Sequence, residues 1–419
     1  MRKKLKKLLK IFGPGIITGA SDDDPSGIAT YSIAGASAGY SLLWTSFLTF
    51  PLMAAVQEMC ARIGLVTQKG LAGTIKTHYK SKVLLYFLAL LIIISNTINI
   101  GADLSGMVAA TKLLLPVPEL VSAIFYTVII IALMVYFPYK FIASRLKWLT
   151  FALFAYLASA VVANLDWTKV FYGTLIPNVE FNKQTISLVV ALLGTTISPY
   201  LFFWQTSEEV EEVREKEKKD HRKIIVTKHE LKMVREDVNA GMFFSNIVMF
   251  AIIATAASTL FANGITNIET ADQAARALEP IAGKAASLLF TLGIVGTGML
   301  AIPVLAGAAA YAIAEIFNWD EGLSKSFRQA KAFYAVIIFS TFIGFLMTFL
   351  GISPFKALFY TAVIYGLIAP VLIFVILLVC NNKKIMGQYT NTWITNTLGI
   401  ITFLIMSLAA IAFLLTLNT

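Results

Sequence analysis

Eleven stretches of roughly 20 or more mostly apolar residues run along this chain, each long enough to cross a bilayer as a helix. They fall at 11–39, 41–65, 82–113, 119–138, 146–165, 184–210, 239–262, 285–315, 330–351, 353–380 and 392–417. Charged residues gather between them, so the pattern predicts an all-α integral membrane protein with about 11 transmembrane helices. Two spans carry polar breaks. The first holds Thr18–Gly27, TGASDDDPSG, and the sixth holds Gly194–Tyr200, GTTISPY. Pro25 and Pro199 each remove a backbone donor and clash with the preceding turn. Gly, Ser and Asp around them favour non-helical backbone. Such backbone is tolerated at membrane depth only where protein buries it or a watery cavity receives it.

The breaks sit five helices apart, and an odd offset inverts the second set of spans. Spans 1–5 and 6–10 are therefore expected to form an inverted repeat, the arrangement in which paired broken helices mark a transporter's central site. The expected organisation is a first repeat over 1–183, a second over 184–380 with a charged loop at 208–237, and a loop with the last span over 381–419.

Composition changes little in this picture. Hydrophobic residues make up 58% and charged residues 14%, against about 25% charged in soluble domains, which excludes a soluble enzyme, a disordered chain and a disulfide scaffold. The net charge of +10 gains meaning from its placement. With the N-terminus inside, 28 of the 34 Lys and Arg fall on the inner side and 6 on the outer. The positive-inside rule then predicts a multi-pass plasma-membrane protein with a cytoplasmic N-terminus and an outer C-terminus, and nucleic acid is not needed to explain the charge. Met1–Lys10 reads as a retained basic terminus, because the apolar run after it is broken and lacks a cleavage site. Glu208–Asp237 reads as a solvated helical extension, with a regulatory loop as the alternative. Cys60 and Cys380 read as small buried hydrophobes.

The chemistry lies in the first break. Asp22, Asp23 and Asp24 cannot all stay charged side by side in a membrane without a cation or water. Unwound carbonyls and helix C-termini add partial negative charge there. An all-oxygen donor set of Asp24, carbonyls and Ser or Thr hydroxyls selects hard ions such as Mg²⁺, Ca²⁺ or Mn²⁺. The histidines His78, His221 and His229 all fall in loops, so none relays protons within a span. Asp103 follows Asn96, Asn99 and Gly101 on a polar stripe that lines a pathway or is satisfied by a neighbouring helix. Glu58, four residues before Arg62, reads as an ion pair near the inner end of its span.

The stretches GPGIITGASDDDPSGIATY, GYSLLWTSFLTFPLMAAVQEMCARIGLVT and GTTISPYLFFWQ resemble the natural resistance-associated macrophage protein (Nramp) family of divalent-metal transporters, in order and from Gly13 to about Cys380. The resemblance implies the leucine-transporter fold, with two inverted five-helix repeats and broken helices 1 and 6. The family carries Asp-Pro-Gly-Asn in helix 1 and Met-Pro-His in helix 6. Here the corresponding residues are Asp24-Pro25-Ser26-Gly27 and Ser198-Pro199-Tyr200. The coordinating Asn is thus Gly27, the thioether is Ser198, the proton-handling His is Tyr200, and the carbonyl ligand maps to Thr195. A helix-3 Asp-x-x-Glu pair becomes Ile100 and Asp103. These departures are similar to those of the Nramp-related magnesium transporters.

The resulting expectation is a carrier of partly hydrated Mg²⁺, and also Mn²⁺, working by alternating access without proton coupling and as a single chain. The metal is substrate, and no cofactor is implied. Asp24 is expected to bind the ion directly or through one water, with the Thr195 and Ala20 carbonyls and the Ser198 hydroxyl facing it across the space left by Gly27. Asp22, Asp23 and Tyr200 are expected to contact its waters. Asp103 joins the pathway, and Gln205 and Thr206 line the inner vestibule. The alternatives are a proton-coupled Mn²⁺ or Fe²⁺ carrier using Asp103, an amino-acid carrier, an intramembrane aspartyl protease pairing Asp24 with Asp103, and a non-transporting metal sensor.

Overall fold

The computed structural model describes residues 14–79, 81–138, 141, 153–163, 165–177, 180–221 and 226–417. The basic segment Met1–Lys10 and residues 146–152 of the fifth expected span lie outside them.

Each of the eleven expected stretches contains helix. The first span is split into α1 (Pro14–Asp22) and α2 (Pro25–Ala38). Asp24, in extended conformation, caps α2, and Pro25 supplies the favoured first helical residue. A tight turn leads into α3 (Trp44–Thr67), and a short helix α4 (Leu71–His78) follows. Next come α5 (Lys82–Lys112), α6 (Glu119–Tyr136), α7 (Phe154–Val162) and α8 (Trp167–Leu175). The sixth span is split into α9 (Lys183–Thr196) and α10 (Pro199–Asp220), again with proline opening the second half. The remaining long helices are α11 (Lys228–Thr259), α12 (Ala286–Phe317), α13 (Lys331–Met347), α14 (Pro354–Asn381) and α15 (Trp393–Thr416).

By length and hydropathy alone, seven of the described helices qualify as spans, or eight with Pro25–Leu42 and Trp44–Thr67 taken as one bent unit. Those two meet at 106°, the sharp turn expected between successive spans. The split sixth span is the most enclosed, with 83% of its apolar window buried, whereas α15 is only 22% buried. The breaks therefore lie at the centre of the bundle and α15 at its rim. Rim helices present Phe87, Leu90, Phe125, Leu404 and Leu408 outward, as a lipid-facing surface requires.

The expected alternation of loops is reproduced by their contacts. Glu315, at the end of α12, accepts from the Gly70 and Gly73 amides at the start of α4, at 2.5 and 2.9 Å. Arg62 pairs with Glu58 at 3.3 Å, as its spacing predicts, and donates to the Thr390 carbonyl at 3.2 Å. All of these residues belong to the basic side. On the opposite side, Lys112 meets Glu119 at 2.7 Å and Ser353 donates to the Glu269 carbonyl at 3.3 Å.

One expectation is corrected. The segment beginning at Glu208 is not solvated throughout. Glu208, Glu209 and Glu211 are buried, because α10 continues straight out of the bundle into a collar of protein. Glu211 accepts from the Tyr311 hydroxyl and from the Leu323 and Ser324 amides, the last two at 2.7 and 3.2 Å. Solvent exposure begins at Arg214. Cys60 and Cys380 are free and buried, as expected. His78, His221 and His229 are exposed.

Candidate metal pathway between the broken helices

The two interruptions are shorter than the polar segments that announce them. Only Asp23 and Asp24 separate α1 from α2, and only Ile197 and Ser198 separate α9 from α10. Each break brings the C-terminal end of one half-helix beside the N-terminal end of the next. Carbonyls in the last turn of α1 have no donor further along their own helix.

Asp24 anchors this centre. Its Oδ1 accepts from the Gly27 amide at 2.7 Å and the Ser26 hydroxyl at 2.8 Å, and its Oδ2 accepts from Asn99 Nδ2 at 2.9 Å. Gly27 faces three oxygens at close range. A Cβ there would lie 3.3 Å from Thr195 Oγ1 and 3.4 Å from both the Asp22 carbonyl and Asp24 Oδ1. Asp24 and Gly27 of the first broken span and Thr195 of the sixth come together at this point.

The other two carboxylates turn elsewhere. The Ser245 hydroxyl on α11 stands 2.7 Å from Asp22 Oδ2 and 3.2 Å from Asp23 Oδ1. Asp22 Oδ1 and Asp23 Oδ2 are buried without a hydrogen-bond partner, as are both carboxyl oxygens of Asp103 and Oδ1 of Asn99. Every one of these orphans is an acceptor, the pattern a cation or ordered water would complete. No group of three or more His, Cys, Asp or Glu converges as a metal cage among the described residues. An ion here would therefore take few carboxylates and fill its shell with neutral oxygens or water.

Three expected contacts take a different form. The Ser198 hydroxyl turns back onto the Thr195 carbonyl, so these two satisfy each other instead of both facing the centre. The Tyr200 hydroxyl donates to the Ser21 carbonyl at 2.9 Å, closing one free carbonyl of α1. The Thr206 hydroxyl donates to the Phe202 carbonyl at 2.6 Å, and its own carbonyl lies against Gly64 of α3, so the residue is buried. Ala20 stands in the last turn of α1 and is partly exposed.

Gln205 joins the two broken spans on the basic side. Its Oε1 accepts from the Thr18 hydroxyl at 2.6 Å, and its Nε2 donates to Glu209 at 2.9 Å. Asp237 of α11 accepts from the Gly15 amide at 2.7 Å. Asp22, Asp23, Asp24, Asn99, Asp103 and Thr195 are each at most 1% exposed. The centre is occluded from both faces.

The sequence profile of the natural resistance-associated macrophage protein-like family, Nramp, matches residues 15–416. The chain belongs to the Nramp family. Among its relatives is the divalent metal cation transporter MntH of Klebsiella pneumoniae (strain 342), 26% identical over 413 residues that cover 97% of this chain and 94% of that protein. The protein of the same name from Caldanaerobacter subterraneus subsp. tengcongensis is also 26% identical over 413 residues, covering 95% and 91%. In structure, the chain is similar to the Eremococcus coleocola manganese transporter, with a TM-score of 0.77 at 17% identity, over 98% of this chain and 87% of that one. The leucine-transporter fold with broken spans 1 and 6 stands.

Ser245 of this Nramp chain, the partner of Asp22 and Asp23, is silent in the sequence, because one serine in a long apolar helix carries no signal of its own. The contact of α1 with α11 was also hidden. A Cβ on Gly19 would lie 2.3 Å from the Gly241 carbonyl oxygen, so the two backbones touch. Forcing side chains into such contacts costs about 1–3 kcal/mol. Gly19→Val is expected to lower the melting temperature in detergent and slow transport, with Gly19→Ala milder. Equal melting of Gly19→Val and wild type would show that α1 sits loosely on α11.

Proposed function

We propose that this Nramp-family protein carries partly hydrated Mg²⁺, and also Mn²⁺, into the cytoplasm by alternating access and without proton coupling, with its basic side inward. The observation that carries this reading is the lack of a side chain at Gly27, whose Cα faces Asp24 Oδ1, the Asp22 carbonyl and Thr195 Oγ1. An asparagine at that position would bring its own amide among these oxygens. Mg²⁺ sheds water reluctantly and binds through one or two carboxylates while keeping several waters. One anchoring carboxylate and neighbouring neutral oxygens suit it. Ser198 at the position where the family carries a thioether removes a ligand that would favour Mn²⁺ over Mg²⁺.

The driving force needs no proton. Moving a divalent charge through 100 mV yields about 4.6 kcal/mol, from roughly 2.3 per charge. A second reading, proton-coupled Mn²⁺ transport, draws on the likeness to a manganese transporter and on Asp103, whose two carboxyl oxygens are buried without hydrogen-bond partners.

The deciding experiment is Mg²⁺ entry into proteoliposomes with an internal Mg²⁺ dye under an inside-negative potential, beside a parallel set with an internal pH dye. Mg²⁺ entry with no pH change is expected. Acidification that tracks metal entry would remove the uncoupled mechanism. Mn²⁺ entry without Mg²⁺ entry would leave the second reading.

A further inference from the structure

Two asparagines on the same stripe of α5 do different things. Asn96 is fully used. Its Nδ2 donates to the Leu305 carbonyl at 2.9 Å and its Oδ1 accepts from the Tyr365 hydroxyl at 3.1 Å. Asn99 lies against Asp24 and Tyr365, and only its amide oxygen is left unmatched. Its Nδ2 donates to Asp24 Oδ2 at 2.9 Å, while its Oδ1 is buried with no partner, in a side chain with 0% exposure. Folded proteins rarely strand an amide oxygen in this way. Asp103, one helical turn further along α5, also has unpartnered oxygens.

We propose that Asn99 is a switching metal ligand: its amide nitrogen holds Asp24 before an ion arrives, and its amide oxygen binds the ion together with Asp24 afterwards. The proposal rests on Asp24 being the ion's carboxylate, and it adds a ligand from α5. Geometry favours the exchange. Two oxygens on adjacent corners of a Mg²⁺ octahedron, each about 2.1 Å from the metal, lie about 3.0 Å apart. Asn99 Nδ2 and Asp24 Oδ2 are 2.9 Å apart. Half a turn of the amide plane replaces nitrogen by oxygen at that spot and converts a hydrogen-bonded pair into a chelating pair, with no movement of backbone. Gly27 brings no side-chain amide from α2, and Asn99 supplies one from α5. Asp24 is then partnered in both conditions, which a plain second carboxylate at position 99 would not allow.

A ligand must be distinguished from a mere brace for Asp24. Leu and Met have nearly the same volume and neither donates a hydrogen bond, but the Met sulfur binds soft ions. Binding of Mg²⁺, Mn²⁺ and Cd²⁺ to Asn99→Leu and Asn99→Met is measured by calorimetry in detergent, with proteoliposome uptake alongside. Both variants are expected to bind Mg²⁺ at least tenfold more weakly than wild type. Asn99→Met should favour Cd²⁺ over Mg²⁺ at least tenfold more than Asn99→Leu does. Identical ion preference in the two variants, or unchanged Mg²⁺ binding in both, would overturn the proposal. If either variant fails to fold, Asn99→Asp takes its place. It keeps an oxygen at that position and should hold Mg²⁺ half-saturation within threefold, so a tenfold rise would count against the proposal. Where the wild type binds and carries Mn²⁺ alone, the Mg²⁺ reading fails, and the Met–Leu contrast in Cd²⁺ against Mn²⁺ still decides the role of Asn99.

Discussion

Asp24→Ala and Asp24→Asn are both expected to lower metal entry into proteoliposomes at least 100-fold, while only the first alters folding stability. Asp24 has two tasks that these variants separate. As the cap of α2 it accepts from the Gly27 amide at 2.7 Å and the Ser26 hydroxyl at 2.8 Å. Alanine loses that cap, at a cost of about 1 kcal/mol, whereas asparagine caps as well as aspartate does. As the candidate anchor it contributes the negative charge that offsets a cation's lost hydration, and neither variant keeps it. Melting in detergent should therefore fall for Asp24→Ala and stay near wild type for Asp24→Asn, with transport lost in both. If Asp24→Asn keeps more than a tenth of the wild-type rate, the carboxylate is a structural cap and the ion is held elsewhere.

The second large effect is one of selectivity. Gly27→Asn should shift preference from Mg²⁺ toward Mn²⁺ at least fivefold, read as the Mg²⁺ concentration that halves Mn²⁺ uptake. A Cβ at Gly27 would stand 3.3 Å from Thr195 Oγ1 and 3.4 Å from Asp24 Oδ1, so the backbone accepts a side chain with small adjustments of these neighbours. The amide beyond that Cβ would compete with water for a place on the ion. The variant asks the ion to exchange water for a protein oxygen, and Mg²⁺ gives up its waters reluctantly. Adding Ser198→Met supplies a softer ligand and should widen the shift. Equal competition curves for wild type and Gly27→Asn would mean that position 27 does not border the ion.

The features legible in the sequence are those written in local spacing. Paired prolines beside small polar residues located both breaks to within a few residues. The four-residue step from Glu58 to Arg62 became an ion pair. The alternation of spans anticipated which loops meet. The site itself was only half visible. The approach of Asp24, Gly27 and Thr195 follows from two breaks facing each other. The pairing of Asp22 and Asp23 with Ser245 does not, because it crosses 223 and 222 positions of sequence and depends on how α1 lies along α11. Tyr200 illustrates the same limit. Its place beside Pro199 suggested a group aimed at the ion's waters, whereas its hydroxyl reaches the Ser21 carbonyl of the other broken span. Glu208, Glu209 and Glu211 misled in the opposite direction. A run of glutamates reads as solvated until the collar that buries it is known.

The partnership of Asp22 and Asp23 with Ser245 also bears on how the chain enters its membrane during synthesis. Each aspartate near the middle of a span opposes insertion by about 2.5–3.5 kcal/mol, so three in succession oppose it by roughly 8–10 kcal/mol. α1, at 9 residues, is too short to cross by itself. This span is thus poorly able to enter lipid unaided, and the hydroxyl that serves two of its carboxylates is made more than 200 residues later. The span is expected to stay sheltered by the insertion machinery, or at the interface, until α11 arrives to receive it.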